Sequence, residues 1–150
     1  MKQKKGIARR MGAWGLSLVT VVAVSGCGSS SSALAPTTVA TLATETFSGS
    51  IDQSGTKIYP FTVTAAGDQL LAGFTSILPT SVTGLGMGIG NYDPTTLTCS
   101  LNVTQNDTAR SGNTGLSGTP ASGSYCLRIY DGGNIPAGVT VSYTAQVQHY

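Results

Sequence analysis

Val139 to Gln148 alternate without a break. Val139, Val141, Tyr143, Ala145 and Val147 fall on one parity, and Thr140, Ser142, Thr144, Gln146 and Gln148 on the other. A helix would spread such a pattern around its circumference, whereas a strand sends successive side chains to opposite faces. The segment is therefore a half-buried strand, which needs hydrogen-bonded neighbours and a cover for its apolar side. Shorter runs repeat the pattern. Tyr59, Phe61 and Val63 alternate with Ile58, Pro60 and Thr62, and Pro60, having no N–H, suits an edge strand or a bulge. Ala66-Gly67-Asp68 reads as a turn before a third strand, Leu70 to Leu78. The run from Gly84 to Tyr92 puts Leu85, Met87 and Ile89 on one face. Thr98 to Val103, Tyr125 to Tyr130 and Glu45 to Ile51 supply the others. No stretch combines helical periodicity with caps. The outer faces are too polar to be buried, so the expectation is an all-β, antiparallel sandwich of about seven to nine strands around one core.

The N-terminus has a different character. Lys2, Lys4, Lys5, Arg9 and Arg10 precede an uncharged apolar run, Met11 to Val24, which ends in Ser25-Gly26-Cys27. A basic start, a short apolar stretch and small residues before a cut site make a secretory signal, and the run is shorter than the ~20 residues that a spanning helix needs. Val24-Ser25-Gly26-Cys27 resembles the lipobox of bacterial lipoproteins. That resemblance implies removal of residues 1–26 and lipid, palmitate included, on Cys27. Each buried methylene contributes ~0.8 kcal/mol, so two or three acyl chains anchor firmly. Residues 27–43 follow as a Ser/Thr/Ala-rich flexible linker, and 44–150 form the folded domain. Gly28 is not the aspartate that retains some enterobacterial lipoproteins at the inner membrane, which points to the outer membrane in a Gram-negative cell. Past the signal, Lys57, Arg110 and Arg128 face six acids, so the net charge is 3 − 6 = −3. Three scattered bases offer no footprint for nucleic acid.

Cys99 and Cys126 remain after the anchor. An even count in an exported chain predicts one disulfide between them, joining neighbouring or facing strands.

Several phrases occur together: Thr46-Phe47-Ser48-Gly49, Tyr59 to Gly67, Leu85 to Gly90 in alternation with glycine, and Gly123 to Asp131. Over roughly residues 45 to 148 they resemble the bacterial pre-peptidase C-terminal domains and related secreted or lipoprotein β-sandwiches. The resemblance implies a jelly-roll-like fold and an accessory role beside a secreted protease. It transfers no catalytic residue.

Chemistry is sparse. Proton transfer near neutral pH needs a suitable side chain, and the one histidine, His149, sits one residue from the C-terminus, where chains tend to fray. No nucleophile elbow precedes a helix, and no H-E-x-x-H occurs. Gly84, Gly86, Gly88 and Gly90 do not match a dinucleotide loop, whose third glycine would fall on Ile89. Glycine at every second position bares one face of a strand, so a neighbouring segment or a flat ligand can approach closely. Tyr92-Asp93 and Tyr130-Asp131 end two strands. Their carboxylates either organise Asx turns, the commoner use, or contribute oxygens to calcium. Tyr125 and Tyr130 lie on opposite parities, and either could face the core. Tyrosines also suit glycan or peptide surfaces.

The expectation is a non-enzymatic, membrane-anchored binding or structural module of the cell envelope, without a cofactor. Its ligand would be a glycan, an extracellular protein or another envelope component. A contiguous tyrosine patch would favour that reading, and a uniform Thr/Ser/Asn surface would count against it. The alternative, implied by the family resemblance alone, is an auxiliary domain assisting a separately encoded secreted hydrolase. An enzyme would need a deep pocket lined by two acids, or by His149 and a hydroxyl.

Overall fold

The computed structural model describes residues 40–150. The signal segment 1–26, Cys27 and most of the linker lie outside the described residues. Eight strands follow in order: β1 (Ala43–Ile51), β2 (Thr56–Val63), β3 (Leu70–Leu78), β4 (Leu85–Asp93), β5 (Thr98–Ala109), β6 (Thr114–Gly118), β7 (Gly123–Tyr130) and β8 (Val141–His149). They form two four-stranded sheets, the first ordered β1-β8-β3-β6 and the second β2-β7-β4-β5. Every neighbouring pair is antiparallel.

The order has a simple origin. β1 pairs with β8, β2 with β7, β3 with β6 and β4 with β5, as in one long antiparallel ribbon folded at its middle. Winding that ribbon so that successive pairs fall in opposite sheets makes a jelly roll. The described residues form an all-β, antiparallel jelly-roll sandwich, as the alternation implied.

Alternation decides which side chains enter the core. Val141, Tyr143, Ala145 and Val147 of β8 point inward, facing Leu127 and Ile129 of β7 and Leu85, Met87 and Ile89 of β4. Phe74 and Leu70 of β3 complete the centre. Each large aliphatic side chain buried this way contributes roughly 1.5–3 kcal/mol. Tyr125 faces the core at 8% exposure, and Tyr130 stands on the outer face of the second sheet. β2 is an edge strand, so the missing N–H of Pro60 leaves the interior of the sheet intact.

Two elements differ from expectation. β6, Thr-Gly-Leu-Ser-Gly, contributes a single core side chain, Leu116, and its weak pattern gives no strand signal; pairing with β3 creates it. β5 runs on from Val103 to Ala109 through polar residues, because its register shifts against β4 at two bulges and its far end leans on β6, where Asn106 Nδ2 donates to the Gly115 carbonyl at 3.2 Å. His149 is a correction as well. It does not fray: it ends β8 at 4% exposure, paired in register with Ala43 and packed on Phe61 at 5.3 Å.

Candidate functional site

The bare face of β4 is filled by the protein itself. Leu85, Met87 and Ile89 enter the core, while the glycines between them open outward. A Cβ on Gly86 would strike the Tyr130 ring, and one on Gly88 would meet Leu101 Cδ atoms at 2.8 Å. Over Gly90 lies backbone, the Ser100 carbonyl of β5. Close packing, and not a flat ligand, accounts for the glycine repeat.

The same feature explains the disulfide. Cys99 and Cys126 are bridged, with Cα atoms 5.8 Å apart. Their strands, β5 and β7, are neither neighbours nor in facing sheets, which corrects the expectation: they flank β4 within one sheet. Cys126 pairs in register with Gly90, and with no side chain there β5 settles over β4 and brings Cys99 across it.

Asp131 and Asp93 are placed far apart. β4 and β7 run antiparallel, so their C-terminal ends lie at opposite ends of the second sheet. Asp131 Oδ1 accepts the N–H groups of Gly133, Asn134 and Ile135 at 2.8–3.1 Å, and Oδ2 accepts that of Ser54 at 2.9 Å. Burial pushes this carboxyl up, but the amides of Ser54, Ile135, Gly133 and Asn134 together hold it below the ordinary 3.8. Asp93 Oδ1 accepts the N–H of Thr95 at 2.8 Å, and that bond, seconded by Thr96, lowers its pKa too. Both residues organise turns. Calcium at either would compete with backbone amides for the same oxygens.

Several tyrosines are engaged by the fold itself. Tyr143 is buried, with its Oη 2.8 Å from that of Tyr59, and burial followed by that contact pushes its pKa well up. Tyr59 stacks on Phe47 at 5.0 Å and donates to the Ser48 carbonyl at 3.2 Å. Tyr130 donates to Asp107 beneath the Arg128 guanidinium; burial, then the Asp107 acceptor and its charge, raise its hydroxyl to about 12.

Among the described residues His149 has no relay partner. Its Nε2 lies 2.9 Å from Glu45 Oε1, and its Nδ1 is buried with no hydrogen-bond partner among the described residues. A relay would require a nucleophilic hydroxyl on the second nitrogen.

What remains is the outer face of the first sheet. Register aligns Thr44 with Gln148 and Leu71, Thr46 with Gln146 and Gly73, and Ser48 with Thr144 and Ser76. This is largely the hydroxyl and amide surface that counts against a binding module. One cleft of about 400 Å³ interrupts it. Its floor is Leu71 and Gly73; Gln146 and Gln148 rise on one side, and Gly112, Asn113 and Thr114 on the other.

Local backbone builds the cleft. The β3–β6 register breaks between Ala72 and Gly73, and the β3–β8 register between Phe74 and Ser76, so β3 bends away from a flat ladder. The Gly112 N–H donates to the Phe74 carbonyl at 2.8 Å, and Ser111 Oγ donates to that of Thr75 at 3.0 Å. Gly112 holds φ at 80°, a left-handed conformation that glycine adopts freely, and this turns the chain back along β3. A Cβ on Gly73 would lie 2.6 Å from the Asn113 carbonyl, so glycine is what lets the two walls stand this close. No lining residue is acidic, basic or a thiol. The cleft can accept and donate hydrogen bonds; it cannot move a proton near neutral pH.

No family model matches the chain, and no curated protein matches it. Among solved structures it is similar to the crystal structure of Aeromonas hydrophila PliG, a periplasmic lysozyme inhibitor of g-type lysozyme. The two share 21% identity at a TM-score of 0.47, covering 69% of this chain and 83% of that one. At that distance the function has to be read from the site itself.

Proposed function

We propose that this chain is a non-enzymatic binding module, exported and held at the bacterial envelope by lipid on Cys27. The supporting observation is chemical. The open cleft on the sandwich is lined by amides, hydroxyls and short aliphatic groups with no titratable side chain. The histidine that could have served catalysis is instead buried against Phe61 and Glu45. A rigid jelly roll fixes those amides on paired strands, which holds them more tightly than a loop would. The linker after Cys27 lets the domain stand off the bilayer, and acyl chains on the cysteine supply the membrane affinity.

The test is fractionation of bacteria that express the full chain or its Cys27→Ser variant. The intact chain should sediment with membranes, dissolve with detergent and incorporate labelled palmitate, and the variant should incorporate none and keep residues 1–26. Equal palmitate incorporation by the two, or none by either, would overturn the anchor. Turnover of any substrate by the purified chain would overturn the non-enzymatic reading.

A further inference from the structure

We infer that the cleft beside Gly73 takes a neutral, hydroxyl-rich ligand, a segment of uncharged glycan. The inference rests on reading the chain as a binding module and adds the site and the ligand class.

Gln146 and Gln148 share one parity of β8, so their amides stand side by side along the wall, one two-residue step of roughly 7 Å apart. A side-chain amide presents an acceptor oxygen beside two N–H donors, and a pair of adjacent hydroxyls, each both donor and acceptor, can answer it with two bonds. Gln146 is only lightly engaged, its Nε2 lying 3.5 Å from Thr46 Oγ1, which leaves its oxygen and a second N–H for a ligand. The floor is apolar at Leu71 and bare at Gly73, a surface that the C–H face of a sugar ring can cover.

Charge narrows the class. Nothing in the lining ionises, so an anionic or cationic ligand would be desolvated there without a counter-charge. A volume near 400 Å³ falls within the ~300–1,000 Å³ of small-ligand sites. Beyond the cleft, Thr44, Thr46 and Thr144 continue the polar face across β1 and β8, so a chain of several sugars would meet further hydroxyls. An extended peptide would instead seek a free strand edge. β8 is paired on both sides, and where β3 borders the cleft its outer edge is taken by β6 at Leu71 to Gly73, by the Gly112 N–H at Phe74 and by the Ser111 hydroxyl at Thr75.

The experiment titrates soluble β-1,4-linked glucose, N-acetylglucosamine and mannose oligomers into the full chain in detergent, followed by calorimetry and by the side-chain amide NMR signals of glutamine. A parallel titration uses acidic and basic peptides. At least one neutral oligomer should bind and shift the Gln146 and Gln148 amide signals. The Gln146→Leu/Gln148→Leu double variant should weaken it by at least about 10-fold. Thr62→Leu, on the other sheet, should leave binding unchanged, and an unaltered thermal unfolding curve will show that the double variant is folded. Undiminished glycan binding by the folded double variant would overturn the site. Binding of peptides but of no neutral oligomer would overturn the ligand class while leaving the binding module standing. Binding of neither would overturn both.

Discussion

Asp131 does more structural work than its position at a strand end suggests. Its two oxygens collect four backbone N–H groups, three from the turn that follows β7 and one from Ser54 between β1 and β2. Asp131→Asn keeps an acceptor for the turn but presents an N–H to that of Ser54, donor against donor. The expected cost at neutral pH is about 1–2 kcal/mol, read from urea unfolding midpoints. The pH dependence follows from the depressed pKa. Its contribution is fully present above the ordinary 3.8 and is lost as pH falls below it through the lower folded value. The gap between wild type and Asp131→Asn should therefore narrow in strong acid. A gap that stays constant from neutral pH to strong acid would show that the carboxylate charge contributes nothing.

At the scale of elements, the bridge and the glycine repeat are one device. Gly90 allows β5 to lie over β4, and the disulfide fixes that crossing. Removing it with Cys99→Ser/Cys126→Ser opens a loop of sequence separation 27, which the chain-entropy model values at about 3–4 kcal/mol. Denaturant unfolding of the double variant should show a loss of that order, and an unchanged midpoint would mean that β5 holds its place without the bond. The same region shows what the sequence could and could not disclose. Seven strands announce themselves because one parity of each is apolar, and Pro60 marks its strand as an edge. β6 is silent because its only core side chain is Leu116. The cysteines announce a bond but not its span, since a crossing over β4 depends on a bulge and on a backbone contact at Gly90. Gln146 and Gln148 are legible as outward-facing, yet the cleft beside them arises from two register breaks and from Gly112, which leave no periodic trace. His149 misleads for a related reason: pairing of Ala43 with the last residue of β8 secures an end that position alone marks as loose.

At the scale of the whole molecule, we propose that two parts divide the labour. On that proposal the basic, apolar N-terminus directs export and lipidation, and the jelly roll, with a net charge of −3 beyond residue 26, offers a quiet, uncharged cleft. The measurement that bears most directly on this division is the intact mass of the protein extracted from bacterial membranes, with and without reductant. The expected species begins at Cys27, carries diacylglycerol and a further acyl chain, and gains two hydrogens on reduction of the Cys99–Cys126 bond. A species that keeps residues 1–26, or one recovered from the medium without lipid, would contradict it.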